Sequence, residues 1–122
     1  MKESKSKHFV DIESAPKLVQ LEGVTSSILN GFEGETMMIV QTEILPGRSV
    51  PEHSHPHEQL GVVKSGRVRL TIGGASKDLE AGDVFAVPPD VPHRADCIGD
   101  EPALVLDIFT PVREDFIAGV KG

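Results

Sequence analysis

The stretch HSHPHEQ at residues 53–59, together with PPDVPH at residues 88–93, decides how this chain folds and where its site lies. Side chains alternate between faces along an extended strand, so residues 53, 55, 57 and 59 share one face and Glu58 turns to the other. Two or three imidazoles that converge with an amide or carboxylate are the donors of a first-row transition-metal site. A further imidazole, His93, arrives from a separate strand. We therefore predict a metal site built from both stretches.

The composition indicates one small acidic domain. The chain has 122 residues, enough to bury one modest core, so residues 1–122 are expected to form a single domain. The formal net charge of −7 argues against nucleic acid as a partner, because such binding needs clustered Lys and Arg. The basic run from Lys2 to Lys7 is expected to lie in a solvated, partly disordered N-terminal arm at residues 1–17.

Cysteine usage and hydropathy indicate the compartment. A single cysteine, Cys97, excludes an internal disulfide framework and fits a reducing environment. No apolar run approaches the roughly 20 residues that a membrane helix needs, and no signal peptide follows the start. We expect a cytoplasmic protein with no membrane partner, in which Cys97 is a buried apolar residue.

Short strands separated by turns fill most of the chain. Candidate strands lie at residues 36–45, 59–64, 67–72, 84–87 and 103–110, with weaker ones between residues 18 and 29. Gly73-Gly74 suits a two-residue hairpin, and residues 111–122 form a polar tail that can be helical. Strands at this even spacing, without helical connections, predict an all-β, antiparallel sandwich or small barrel.

The last strand is apolar on both faces. Val105, Asp107 and Phe109 lie on one face, and the side chains of residues 104, 106 and 108 lie on the other. One face can line the interior while the other packs on a second sheet or subunit. We therefore expect a homodimer.

The two histidine stretches lie within longer motifs, and on these the chain resembles a small single-domain cupin. The first motif of that family is Gly, five residues, His-x-His, three or four residues, Glu, six residues, Gly; it is matched by Gly47, His53, His55, Gln59 and Gly66. The second is Gly, five residues, Pro-x-Gly, two residues, His, three residues, Asn; it is matched by Gly82, Pro88 and His93. Gln59 replaces the glutamate, Asp90 the glycine and Cys97 the asparagine.

The resemblance spans residues 36–117. It implies a cupin double-stranded β-helix, or jelly-roll barrel, with its conserved part at residues 36–110. It also implies one divalent transition metal bound by His53, His55, Gln59 and His93. The identity of the metal (Ni, Mn, Zn or Fe) does not follow from these ligands.

The C-terminal run LDIFTPVREDF at residues 106–116 narrows the resemblance to the pectin-degradation cupins. Those proteins open the ring of 4,5-unsaturated monouronates and use three histidines and one glutamine for the metal. The resemblance implies that Asp107, Phe109 and Arg113 serve the substrate: Asp107 and Arg113 in catalysis, and Phe109 with Arg113 in binding.

The chemistry of these residues leaves alternatives open. Asp107, a carboxylate in an apolar strand, is either a structural partner of an arginine or a general acid/base inside the barrel. Arg113 either pairs with Glu114 or Asp115 at the surface or binds a substrate carboxylate. Phe109 is core or pocket wall. We expect His57 either beside the metal ligands without binding the metal or at the rim of the site, since Pro56 bends the path of the chain and His93 already supplies the third imidazole.

Three neutral imidazoles and a neutral amide leave a bound divalent ion its full charge, which favours Lewis-acid chemistry. We therefore expect a non-redox isomerase or ring-opening enzyme acting on a small acidic sugar or oxo-acid, such as a 4,5-unsaturated uronate. The alternatives are a metal-dependent dioxygenase of the quercetin- or thiol-oxidising type and a non-catalytic cupin that binds a small ligand.

Overall fold

A computed structural model describes residues 8–121, which form two antiparallel β-sheets and one helix. The strands are β1 (Lys17–Leu21), β2 (Val24–Ile28), β3 (Met38–Ile44), β4 (Ser49–His53), β5 (Glu58–Ser65), β6 (Arg67–Ile72), β7 (Ala75–Glu80), β8 (Val84–Val87), β9 (His93–Cys97) and β10 (Ala103–Thr110). The helix α1 covers Glu114–Lys121. The predicted all-β, antiparallel fold is confirmed, and part of the C-terminal tail is helical. The basic run Lys2 to Lys7 lies outside the described residues, so the N-terminal arm is described only from residue 8.

The sheets have six and four strands. The first has the order β1-β2-β3-β10-β5-β8 and the second the order β4-β9-β6-β7. After β3 the chain crosses to the second sheet for β4, returns for β5, crosses again for β6 and β7, and continues to alternate through β8, β9 and β10. Repeated crossing between two antiparallel sheets is the jelly-roll arrangement, as expected for the barrel at residues 36–110.

The period-two pattern of the sequence places the core between the sheets. In β3 and β10 every second residue is buried, including Val40 and Val105. Burying a side chain of this size contributes about 1.5–3 kcal/mol each. One cluster of buried residues lies around Val24, Ile44 and Val63, and a second joins Ile28, Met38, Val40 and Phe109 to the C-terminal segment. The two clusters lie on either side of the polar groups described below.

Two turns explain where the chain keeps and where it departs from the cupin motifs. Gly66 has a φ of 81°, and a Cβ there would lie 2.7 Å from Ala103 Cα, so the turn between β5 and β6 requires glycine. Asp90, which replaces the motif glycine, has a φ of 66°. Asp tolerates this left-handed conformation better than most residues. The backbone N–H of Asp90 donates to the carbonyl of His55 at 2.8 Å, which joins the two histidine stretches.

The helix α1 closes one end of the barrel. Its acidic first turn, Glu114 and Asp115, is favourable for the helix dipole. Phe116 and Ile117 are buried in the second core cluster, against Phe109 and Met38. The C-terminal segment therefore belongs to the barrel and brings Arg113 to its interior. No helix within residues 8–121 is long and apolar enough to cross a membrane.

Candidate metal centre

Three imidazoles meet between the two sheets. His53 ends β4 and His93 begins β9, and the two are register partners. His55 lies in the loop between β4 and β5. One ring nitrogen of each histidine lies within 4.8 Å of the others. Nitrogens that share one ion at about 2.1 Å lie at most about 4.2 Å apart, so small side-chain shifts bring all three into range.

Backbone carbonyls fix the tautomer of all three rings. Each Nδ1 lies near the carbonyl of a residue two positions away: Pro51 for His53 (2.8 Å), His57 for His55 (3.1 Å) and Val91 for His93 (2.9 Å). A carbonyl only accepts, so each Nδ1 carries the hydrogen and each Nε2 presents a lone pair. In metal-binding histidines, a hydrogen bond from the ring nitrogen that does not bind the metal commonly orients the ring in this way.

Burial favours the neutral form of two of these imidazoles, those of His55 and His93. Burial lowers the pKa of His55 to about 4, and the charges of Arg113 and His93 act in the same direction. Burial also lowers the pKa of His93. The Nε2 of His93 is buried and has no hydrogen-bond partner among the described residues. A buried lone pair without a donor is unfavourable in a protein but is what a cation requires.

Gln59 adds an oxygen to the three nitrogens. Its Nε2 donates to Asp107 Oδ1 at 2.9 Å, which fixes the orientation of the amide. Its Oε1 therefore faces His55 Nε2 at 3.0 Å. With the His55 proton on Nδ1, this contact brings two acceptors together, an arrangement that a cation between or beside them stabilises. The donor set of three imidazole nitrogens and one amide oxygen thus fits a divalent transition metal, and it does not specify which one.

Asp107 lies on β10 beside this set. The side chain is 8% exposed and accepts its hydrogen bond from Gln59. Burial raises the pKa of Asp107 to about 7, against the opposing effects of the Gln59 hydrogen bond and of the Arg113 charge. Within residues 8–121 Asp107 forms no ion pair with an arginine within 4 Å, so the structural ion pair considered from the sequence is absent there.

Arg113 forms the expected pair with Asp115, but it is buried rather than at the surface. Its Nε and Nη2 donate to the two carboxylate oxygens of Asp115 at 3.0 and 2.8 Å, which is the pairing anticipated from the sequence. Yet Arg113 is only 9% exposed, and its guanidinium lies 4.0 Å from the ring centroid of Phe116 and 5.0 Å from that of Phe109. Asp115 binds one edge of the guanidinium, and the Nη1 end remains for a ligand.

Other sequence candidates lie outside the cluster of three histidines. The His57 ring packs 5.4 Å from that of His55 and 6.5 Å from that of Phe109, beside the histidine cluster but not among the residues that line the cavity. Glu58 is exposed and faces away from Gln59. Cys97 is buried in the first core cluster, where its Sγ donates to the Glu101 carbonyl.

A cavity of about 60 Å³ lies among the candidate site residues. Asp107, Phe109 and Arg113 line it together with His53, Gln59 and His93, so Phe109 is both core and pocket wall. Sequence reasoning missed two further polar residues that line the cavity, Gln20 and Thr42. For Thr42 a signal existed, since it is a polar residue at an inward position of the otherwise apolar face of β3. For Gln20 no local signal existed, because a register shift in β1 sets its direction.

Comparisons with known proteins agree with this geometry. The sequence matches the family described as "Cupin domain" over residues 40–109. An RmlC-like cupin from Shewanella frigidimarina is 34% identical, with a TM-score of 0.79 over 91% of this chain and 96% of that one. KdgF from Halomonas sp. is 26% identical, with a TM-score of 0.80 over 88% of this chain and 96% of that one.

Curated relatives are longer than this chain. The "H2HPP isomerase" of Bacillus subtilis is 29% identical over 99 residues, which are 76% of this chain and 39% of that protein. The chain spans between 39% and 56% of the first curated relatives that it matches. The match over more than half of the sequence, the jelly-roll topology and the three clustered histidines lead to one conclusion: the chain belongs to the cupin family.

Proposed function

We propose that this cupin is a metal-dependent, non-redox isomerase that opens the ring of a small acidic sugar, a 4,5-unsaturated uronate. The observation that carries the proposal is Asp107, a buried carboxylate that shares one cavity with the histidine cluster and with Arg113. The likeness to KdgF and the sequence resemblance to the pectin-degradation cupins support the same substrate class.

His53, His55, Gln59 and His93 are the proposed metal ligands. A divalent ion held by four neutral donors supplies Lewis-acid polarisation of a substrate oxygen. The same neutrality gives no stabilisation to a higher oxidation state of iron, which is why we favour isomerisation over the dioxygenase alternative. A metal of the Ni, Mn, Zn or Fe type suits the donor set.

Asp107 is the proposed acid/base. Opening the ring of a 4,5-unsaturated uronate breaks the bond between C1 and the ring oxygen, removes the proton of the C1 hydroxyl and delivers a proton to C4. The single linear product carries an aldehyde at C1 and a 2-keto acid at its other end, so atoms and electrons balance without an oxidant. A carboxyl group whose pKa is about 7 can take up and return a proton near neutral pH. The hydrogen bond from Gln59 holds that carboxyl group towards the cavity.

Arg113 and Phe109 are the proposed substrate-binding residues. The free end of the Arg113 guanidinium is a suitable partner for the uronate carboxylate, since a planar pair of N–H groups matches a carboxylate. Asp115 and the Phe116 ring hold the guanidinium in place. Phe109 provides an apolar wall beside it.

The test uses metal-loaded protein and enzymatically prepared 4,5-unsaturated galacturonate, whose conjugated double bond is followed by ultraviolet absorbance. We expect the wild type to consume the substrate without oxygen uptake. We expect Asp107→Asn to reduce turnover at least a hundredfold, the usual range for loss of an acid/base, while metal content stays unchanged. Asp78→Asn, which removes a carboxylate from a surface ion pair, is the control. Turnover retained in Asp107→Asn would exclude the proposed role, and oxygen consumption would favour the dioxygenase.

We also propose that the protein is a homodimer formed through the outer face of the six-stranded sheet. Two neighbouring rows of that face are apolar: Ile108, Leu60 and Ala86 in one, and Leu106, Val62 and Val84 in the other. Leu60 is 48% exposed and Val84 69% exposed. An apolar patch that continues across three strands of one small domain is typical of a protein–protein interface.

A further inference from the structure

A short chain of polar groups crosses the wall of the cavity. Ser26 of β2 and Thr42 of β3 are register partners whose hydroxyl oxygens lie 2.7 Å apart. The Nε2 of Gln20 donates to Ser26 Oγ at 2.6 Å. Ser26 is fully buried and Thr42 is 6% exposed, yet Thr42 and Gln20 both line the cavity that holds Asp107. The described residues thus place a polar relay, Gln20–Ser26–Thr42, in the wall of the cavity, with the exposed Gln20 at one end and the buried Ser26 and Thr42 behind it.

The two hydroxyl groups of this relay carry two hydrogens, and their mutual contact uses only one of them. Ser26 Oγ accepts from Gln20, so its own hydrogen is available for Thr42 Oγ1. Either hydroxyl can be the donor in this contact; when Ser26 donates, Thr42 keeps its hydroxyl hydrogen, and among residues 8–121 Thr42 has no second side-chain hydrogen bond. Because a buried hydroxyl without an acceptor is costly, a ligand oxygen in the cavity is the natural partner.

The backbone of β1 directs Gln20 into this position. The pairing of β1 with β2 shifts between Val19 and Leu21, so Gln20 is the extra residue of a bulge. Bulges redirect a side chain and occur often beside active sites. In a regular strand the alternation of side chains would fix the face on which Gln20 lies. The hydrogen bond from Gln20 to Ser26 therefore depends on the bulge.

The relay lies at a definite distance from Asp107. On the inward face of the sheet Thr42 pairs with Val105, and the next inward row contains Val40 and Asp107. Rows on one face are two residues apart, which corresponds to about 7 Å along the strand. Thr42 therefore lies one inward row from Asp107, on the neighbouring strand, a separation of the order of the length of a small sugar acid.

We propose that Thr42, oriented by Ser26 and Gln20, donates a hydrogen bond to a neutral hydroxyl or carbonyl oxygen of the substrate and thereby selects a sugar acid over a simpler oxo-acid. This inference rests on the proposed function for the substrate class. The relay carries no formal charge, so it suits a neutral oxygen, whereas the guanidinium of Arg113 suits the carboxylate. Thr42 binds the substrate, and Ser26 and Gln20 are positioning residues.

The test compares Thr42→Val, which keeps the shape and removes the hydroxyl, with Thr42→Ser, which restores it. With metal-loaded protein and 4,5-unsaturated galacturonate, we expect Thr42→Val to raise KM about three- to tenfold with kcat within about twofold, since one hydrogen bond is lost. Thr42→Ser should return KM to within about twofold of the wild type. Thr71→Val is the matched control, because Thr71 forms an equally short hydroxyl pair with Ser76 at the exposed face of the other sheet.

Ligand binding tests the relay independently of turnover. Calorimetry with D-galacturonate and its monodeoxy analogues, on the same metal-loaded variants, should show an affinity loss in Thr42→Val for D-galacturonate. The loss should disappear for the one analogue that lacks the recognised hydroxyl. An unchanged KM and affinity in Thr42→Val, or equal losses for every analogue, would overturn the proposal. If the wild type consumes no unsaturated uronate, the proposed reaction is wrong, and the binding measurements alone test the role of Thr42. A wild type that also fails to bind D-galacturonate overturns both proposals.

Discussion

Gly61→Ala is the substitution that most directly tests the architecture of the cavity. Gly61 lies between Asp107 and Phe85 in one inward row across β10, β5 and β8. A Cβ at Gly61 would overlap the ring of Phe85. Because Phe85 packs against the first core cluster and lines this cavity and a second one, a shift of its ring disturbs the core or changes the shape of a cavity.

The expected cost follows from this overlap. Inserting atoms into a packed core destabilises a protein by about 1–3 kcal/mol. With a urea m-value of about 2 kcal/mol/M, a loss of about 2 kcal/mol lowers the unfolding midpoint by about 1 M. The cavity measures about 60 Å³, so a displaced ring occupies much of it. We therefore also expect KM for the unsaturated uronate to rise in Gly61→Ala.

Urea unfolding of metal-free protein measures the stability effect, and two further variants make the result decisive. Gly99→Ala is the control, since its nearest contact is Arg67 Cβ at an ordinary 3.5 Å. The double variant Gly61→Ala/Phe85→Leu removes the clashing ring and should recover part of the lost stability, which makes the pair non-additive. An unchanged midpoint in Gly61→Ala, or strict additivity in the double variant, would refute the packing described here.

Two further outcomes concern a turn and the proposed interface. Asp90→Gly should leave stability unchanged or raise it by up to about 1 kcal/mol, because glycine relieves the left-handed backbone but costs more entropy on folding. Asp90→Val should lower stability by about 1–2 kcal/mol in the same urea assay, and equal stability of the two variants would contradict the backbone argument. Light scattering should show that Leu60→Lys/Val84→Lys dissociates the homodimer, whereas Leu45→Lys, at an exposed site 40% accessible, leaves it intact; a monomeric wild type would disprove the proposed interface.

Much of the barrel could be predicted from the sequence because its determinants are local. The hairpin at Gly73-Gly74 pairs Ile72 with Ala75. In β10 buried side chains alternate with more exposed ones, as the period-two pattern of a strand predicts. The histidine stretch is less simple, since residues 54–57 leave the strand and His55 reaches the cluster from a loop.

What the sequence could not provide depends on contacts between distant segments. The direction of Gln20 depends on a bulge in β1, which no local residue pattern reveals. The link between Ser26 and Thr42 requires that β2 and β3 pair in one particular register. Arg113 illustrates a third case: its pairing with Asp115 is local, but its burial against Phe109 and Phe116 requires α1 to pack on the barrel.

The replacement of the motif glutamate by Gln59 has a chemical reason in this structure. The amide performs two tasks at once, since its Oε1 faces the histidines while its Nε2 donates to Asp107. A glutamate at this position has no hydrogen to donate when ionised, and would bring a second carboxylate to within hydrogen-bonding distance of a buried one. One of the two would then have to hold a proton permanently. Gln59 and Asp107 are therefore a matched pair: the amide leaves the buried carboxyl group able to gain and lose a proton, as the proposed reaction requires.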